Sequence, residues 1–166
     1  MLFKTKEFIL RELKKEDIDL LWKCYDDKGI AKNMVMPMKE SEFKRELIDS
    51  LKKKQKDRDQ FIIEIHGKAA GLIKIHDIIP KLKGRTTSWL GKHYRGKGIM
   101  TTAKKIALSY WFEKYKLKRI YAYVRAFNIA SIRSLEKSGY KREGILRKNI
   151  LKEGKYYDDY VYAVVK

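Results

Sequence analysis

Apolar residues recur along this 166-residue chain with two alternating periods. Near the N-terminus, "FILREL" predicts a short strand. From Asp17 to Tyr25, the residues Ile18, Leu21, Trp22 and Tyr25 fall at helical spacing and predict an amphipathic helix. A second helix opens near Ser41, with Phe43, Leu47, Ile48 and Leu51 as its apolar stripe. "FIIEI" and "AAGLIKIHDII" then read as two strands joined by the turn His66-Gly67-Lys68, and "RTTSWLG" has the β-branched and aromatic content of a third. The helical period returns after Gly98: Ile99, Ala103, Ile106, Ala107 and Tyr110 share a face, predicting a helix over Thr101 to Tyr115. "RIYAYV" is a strand with Ile120, Ala122 and Val124 on one side and Tyr121 and Tyr123 on the other. Asn128 is the expected N-cap of a further helix, which Gly139 closes. Two last strands, Tyr140 to Arg147 and Tyr156 to Val165, flank the turn Glu153-Gly154-Lys155.

The predicted order is βααβββαβαββ, a mixed α/β fold with one central sheet and about four helices. No Pro/Gly/Ser-rich linker or repeat divides the chain, so 1–166 reads as a single domain. The polar run "KKKQKDRDQ", Lys52 to Gln60, is a solvated helix end and turn.

Composition narrows the function classes. With 44% hydrophobic residues the chain can bury a core, so disorder is not the default reading. No apolar run is long enough to span a bilayer, and Lys4, Lys6 and Glu7 interrupt the start, unlike a secretion signal. Cys24, the one cysteine, cannot form an internal disulfide, which fits a reducing cytoplasm. The formal charge of +19 reads either as an anionic partner, such as nucleic acid, a ribosome-like surface or a phosphate-rich cofactor, or as a lysine-rich surface, because the basic residues are spread along the chain.

The stretch "GKHYRGKG", Gly91 to Gly98, carries the chemistry. As a mononucleotide P-loop it fails: Gly98 stands where a Ser or Thr would hold magnesium, and "RIYAYV" runs into Arg125 instead of an aspartate. The dinucleotide spacing G-x-G-x-x-G is also absent, since Thr101 follows Gly98 at the third position. Two readings remain on spacing alone. Gly96 and Gly98 turn the backbone so that its N–H groups and the start of the next helix trap an anion, with Arg95 and Lys97 at the rim, or they serve a plain left-handed turn.

"YRGKGIMTTA" resembles the acetyl-coenzyme A loop of the GNAT acetyltransferase superfamily, Q/R-x-x-G-x-G/A, with Arg95, Gly98 and Met100 on its fixed positions and methionine replacing a small residue. "NIASIRSLEKSGY" is similar to the family's second element, and the chain from Gly139 onward looks like the C-terminal hairpin of the RimJ/RimL branch. The resemblance runs continuously from about Leu72 to the end.

That resemblance implies a GNAT-type sheet with a splayed strand pair and acetyl-coenzyme A as cosubstrate, without a metal. Backbone N–H groups of Arg95, Gly96, Lys97, Gly98, Ile99, Met100 and Thr101 would hold the pyrophosphate, and backbone groups of Trp89 and Leu90 would pair with the pantetheine arm or polarise the thioester carbonyl. Asn128 would hydrogen-bond the arm, whether or not it also caps its helix. An amine nitrogen would attack the thioester directly. The tyrosine that many superfamily members use as acid is replaced by Leu135, so Ser131 is the candidate partner for the leaving thiolate, against a bland reading as a first-turn serine. Glu64, Asp77, His76 and Tyr123 are candidate bases and none stands out; Cys24 is expected to be a buried helix residue. Expected partners are acetyl-coenzyme A, a protein N-terminus or small amine, and a ribosome or other anionic surface. A homodimer is compatible with the sequence, and no membrane partner is expected. Two rivals stand beside this: a coenzyme A-binding protein without catalysis, and a basic RNA- or ribosome-binding module, which requires aromatics interleaved with Arg or Lys on one sheet face.

Overall fold

The computed structural model describes residues 2–26, 28–33, 38–52 and 56–166, without the side chains of residues 31 and 32. Of the polar run after the second long helix, residues 53–55 lie outside the described part. The elements in order are β1 (Leu2–Lys4), β2 (Ile9–Arg11), α1 (Asp17–Tyr25), α2 (Lys28–Asn33), α3 (Glu40–Lys52), β3 (Asp59–Ile65), β4 (Lys68–Ile79) and β5 (Lys83–Leu90). A one-turn 3₁₀ segment (Lys92–Tyr94) leads into α4 (Ile99–Tyr115), β6 (Arg119–Arg125), α5 (Ile129–Lys137), β7 (Lys141–Lys152) and β8 (Lys155–Val165).

All eight strands form one sheet in the order β1-β2-β3-β4-β5-β6-β8-β7. It is antiparallel except where β5 meets β6. Helices cover both faces. Against one lie α4 and α5, with Trp111, Ala103 and Ala107 fully buried over Ile63, Ile73, Ile75 and Ile120. Against the other lie α1 and α3, where Ile18, Leu21, Phe43 and Leu47 cover Ile62 and Leu72. The period-2 alternation of Ile62 and Ile63 serves both cores at once, which is why "FIIEI" is apolar at consecutive positions.

The predicted elements are present with several corrections. The N-terminal stretch is two short strands, with Leu2–Lys4 pairing back on Ile9–Arg11. The six-residue α2 adds a fifth helix, because Ile30 finds a place in the α1–α3 core that local periodicity does not announce. On α3 the stripe is narrower than expected: Phe43 and Leu47 are buried, whereas Ile48 and Leu51 are exposed, since the helix touches the core over its first three turns only. The last two strands extend further toward each other, meeting at the Glu153-Gly154 turn.

Leu135, the position of the missing tyrosine, points into the α4–α5 core and is 3% exposed. Leu135→Tyr therefore overpacks a filled interior and is expected to destabilise the chain by about 1–3 kcal/mol. Urea unfolding checks this; unchanged stability would show that the side chain reaches open space.

Candidate active site

The sheet opens between β5 and β6. Their parallel pairing covers only Lys83, Gly84 and Arg85 against Arg119, Ile120 and Tyr121. Beyond that point β6 stays with β8 as far as Arg125, while β5 stays with β4 as far as Leu90. The crotch of the fork is pinned by side chains. The Thr86 hydroxyl shares a 2.7 Å hydrogen bond with the Tyr140 hydroxyl and lies 3.4 Å from the Tyr121 carbonyl. Burial pushes the Tyr140 hydroxyl well above the usual tyrosine range, so it stays protonated and able to donate.

Backbone alternation decides which groups of β5 face this gap. The Gly91 amide donates to the Ala70 carbonyl at 2.8 Å, and the register pairs Leu72 with Trp89. Trp89 therefore directs its amide and carbonyl toward β4, and Ser88 and Leu90 direct theirs into the fork. Of Trp89 and Leu90, Leu90 turns its backbone groups toward the gap and Trp89 does not; Ser88 also faces it. The Leu90 carbonyl already accepts from Arg95 Nε at 2.8 Å, which ties the glycine loop to the strand end and leaves the Leu90 amide for the gap. The Trp89 side chain instead joins Tyr25, Phe43 and Trp22 in an aromatic cluster on the α1–α3 face.

The loop that follows behaves as its glycines require. Gly96 and Gly98 have φ of 80° and 78°, and Gly98 is the residue before α4, with no side-chain cap and no acidic residue in the first turn. The first intrahelical bond runs from Thr102 to Gly98, so the amides of Ile99, Met100 and Thr101 have no helical acceptor. They sit at the positive end of a 17-residue helix, where an anion is favoured by about 0.3–1 kcal/mol from the helix dipole alone. A Cβ on Gly98 would meet no protein atom within 4 Å, so what demands glycine here is the left-handed φ and not crowding.

Across the fork, Asn128 caps α5: its Oδ1 accepts from the Ser131 amide at 3.2 Å. Its Nδ2 remains to donate. Ser131 is half-buried, and its hydroxyl forms no hydrogen bond with the described residues.

The candidate bases fare unequally. The Glu64 carboxylate is held by Arg11, which also grips buried Asp17 through two bonds at 2.6 and 2.8 Å. Asp77 is paired with Arg85 at 3.0 Å. His76, beside Arg85, has its pKa lowered by burial and by that guanidinium, so it is neutral near pH 7, but its Nε2 is sealed from solvent without a partner. Tyr123 is 42% exposed, with Arg85 over its ring. None is a ready base at the fork. Tyr121 and Tyr123 do alternate with Arg119 and Arg85 on one sheet face, as a nucleic-acid module requires, yet each guanidinium is held by a carboxylate, Glu143 or Asp77.

Two corrections concern single residues. Cys24 is only half-buried, and its Sγ lies against Gly91, at the wall of a 400 Å³ cavity shared with Lys23, Lys28, Lys92 and His93. Burial raises its thiol pKa, which keeps it protonated and unreactive. Lys104 was not anticipated: it sits between Ala103 and Ala107 on the apolar stripe of α4 and is 4% exposed. A lysine at a core position of that period was the available signal. Among the described residues no three His, Cys, Asp or Glu side chains group as a metal site, and no helix is long and apolar enough to cross a membrane.

Residues 7–141 match the family described as the Acetyltransferase (GNAT) domain. The chain is 44% identical over 77 residues to a probable N-acetyltransferase, YjcK, of Bacillus subtilis, a match covering 46% of this chain and 42% of that relative. Its fold superposes on the ribosomal L7/L12 α-N-protein acetyltransferase RimL in complex with coenzyme A, with a TM-score of 0.88 at 17% identity, over 99% of this chain and 98% of the other. It also superposes on spermidine N-acetyltransferase of Vibrio cholerae in complex with coenzyme A and spermine, with a TM-score of 0.84 at 22% identity, over 97% and 96% of the two chains. An opened sheet, an uncapped helix start behind it and the matching family domain together place this chain in the GNAT family of N-acetyltransferases.

Proposed function

We propose that the chain, acting as one domain, transfers the acetyl group of acetyl-coenzyme A to a primary amine at the β5–β6 fork. The observation that carries the reading is a strand edge left unpaired beside an uncapped helix start. Backbone polar groups in a folded interior are nearly always satisfied, and an extended diamide arm supplies the missing strand. Acetyl-coenzyme A has a diphosphate for the one and a pantetheine for the other, and it brings the activated thioester.

The amides of Ile99, Met100 and Thr101, with the Gly96–Gly98 turn, hold the diphosphate. Ser88 and Leu90 pair with the arm from one side, and Asn128 Nδ2 donates to it from the other. An amide of β5 facing the gap steadies the oxygen of the thioester carbonyl as the amine nitrogen forms its bond to carbon. As the carbon–sulfur bond breaks, the Ser131 hydroxyl donates a hydrogen bond to the departing thiolate; a serine is too weak an acid to surrender its proton outright. The amine proton leaves to solvent, and the positive surroundings favour the neutral, nucleophilic amine.

The acceptor is better matched to an acidic or RNA-borne protein N-terminus than to a polyamine. Proteins with this fold act on both kinds, as RimL and the spermidine enzyme illustrate. A chain with formal charge +19 repels a polycation and attracts an anionic carrier such as a ribosome. Thiol release from acetyl-coenzyme A, measured against a panel of acidic N-terminal peptides, polyamines and aminoglycosides, tests this. Faster turnover of polyamines than of peptides would overturn the preference, and no release with any amine would favour a coenzyme A-binding protein without catalysis.

Gly98→Asp strains the left-handed turn and sets a carboxylate beside the diphosphate, and is expected to weaken coenzyme A binding by roughly a hundredfold or more in calorimetry. Undiminished affinity would remove the diphosphate from this turn. Ser131→Ala is expected to lower kcat about tenfold to a hundredfold with coenzyme A affinity within about twofold, the pattern of a contact made only as the thiolate departs. An unaltered kcat would leave Ser131 as a helix residue only.

A further inference from the structure

Among the described residues Lys104 is a buried cation without an anion. Its Nζ there reaches only the Ser134 hydroxyl, at 3.1 Å, across the α4–α5 interface. That hydroxyl in turn accepts from Thr101 Oγ1 at 3.4 Å, so the ammonium lies two hydrogen bonds from the third residue of α4. The long side chain runs back toward the start of its helix, as helical side chains do. Its other neighbours offer no charge. On α5, Arg133 and Lys137 are exposed, and Glu136 is engaged by the Tyr162 hydroxyl at 2.8 Å. On α4 itself, Lys105 is exposed. The buried carboxylates Asp17 and Asp159 belong to Arg11 and Arg125 elsewhere. A leucine or methionine would fill such a position at less cost, because burying an ammonium against one neutral hydroxyl is unfavourable.

What the lysine adds is a charge within two hydrogen bonds of Thr101, whose amide is among those assigned to the diphosphate. We propose that Lys104 is a buried cationic subsite for the diphosphate of coenzyme A, acting from beneath the first turn of α4 and taking up a proton when that anion binds. This inference rests on the coenzyme A reading of the turn. The anion need not touch the ammonium: in a dry interface a charge acts over several ångströms with little screening. Burial alone lowers the Lys104 pKa to about 8 in the free protein, so near pH 8.5 most molecules carry the neutral amine. A diphosphate overhead favours the protonated form and pulls the proton back on. The linkage has a definite sign. Affinity is full below about pH 8 and falls as pH rises from the free-protein pKa toward the higher value in the complex.

Calorimetric titration with coenzyme A at pH 8.5, in two buffers of different ionisation enthalpy, counts the protons directly. The wild-type protein is expected to take up more than about half a proton per coenzyme A, with affinity falling by up to about tenfold per unit above pH 8. At that pH the ligand's phosphates are already deprotonated and contribute little. Lys104→Met, which fills the same space without charge, is expected to lose the uptake, bind about tenfold more weakly at pH 7 and show a flat pH profile, with a melting temperature at pH 7 no lower than wild type. Wild-type binding without proton uptake, or uptake that survives in Lys104→Met, overturns the role of Lys104 and leaves the turn assignment standing. Failure of the wild-type protein to bind coenzyme A at all overturns both. The wild-type proton count requires no variant, so it holds even if the substitution impairs folding.

Discussion

The whole site depends on β5 and β6 parting company after three residue pairs. A sheet interior that stops pairing leaves rows of amide and carbonyl groups facing each other across a gap, and such groups are costly to strand. Here the gap stays open because each strand is held on its outer side: β5 by seven register pairs to β4, β6 by seven to β8. The Thr86–Tyr140 contact fixes where the parting begins. In the proposed reading an extended polar ligand completes what the fold leaves unfinished, and its affinity would come from backbone geometry with few distinctive side chains.

Electrostatics organises the mouth of the fork. The glycine turn aims three helical amides outward, and a lysine beneath them adds charge that depends on pH. Arg95 spends its guanidinium on the Leu90 carbonyl, fastening the loop to the strand end. Similar pairing holds where β5 and β6 still run together, with the arginines over Tyr121 and Tyr123 neutralised by Glu143 and Asp77. Those partners blunt a surface that would otherwise suit single-stranded nucleic acid.

Much of this was legible residue by residue. The apolar runs on either side of the His66-Gly67-Lys68 turn marked β3 and β4, the spacing of Ile99, Ala103 and Ala107 marked α4, and Asn128 announced its own cap. These signals are local: a period, a glycine with positive φ, a side chain that bonds three residues on. Less legible were features that depend on partners distant in sequence. Leu135 could be named as the place where a tyrosine was missing, but its burial follows from how α5 meets α4. Cys24 and Gly91 touch although 67 positions apart, because α1 packs over the strand that Gly91 ends. Trp89 and Leu90 look equivalent in sequence, and only the Leu72–Trp89 register distinguishes the one that faces the fork.

The chain by itself determined most of the long helices and strands and which turn takes left-handed glycines, since each follows from interactions within about four residues. The tertiary structure alone decided where the sheet opens, which backbone groups look into that opening and that Lys104 lies in the dark beneath it. Strand pairing and burial join residues that the sequence keeps dozens of positions apart, and no local period records them.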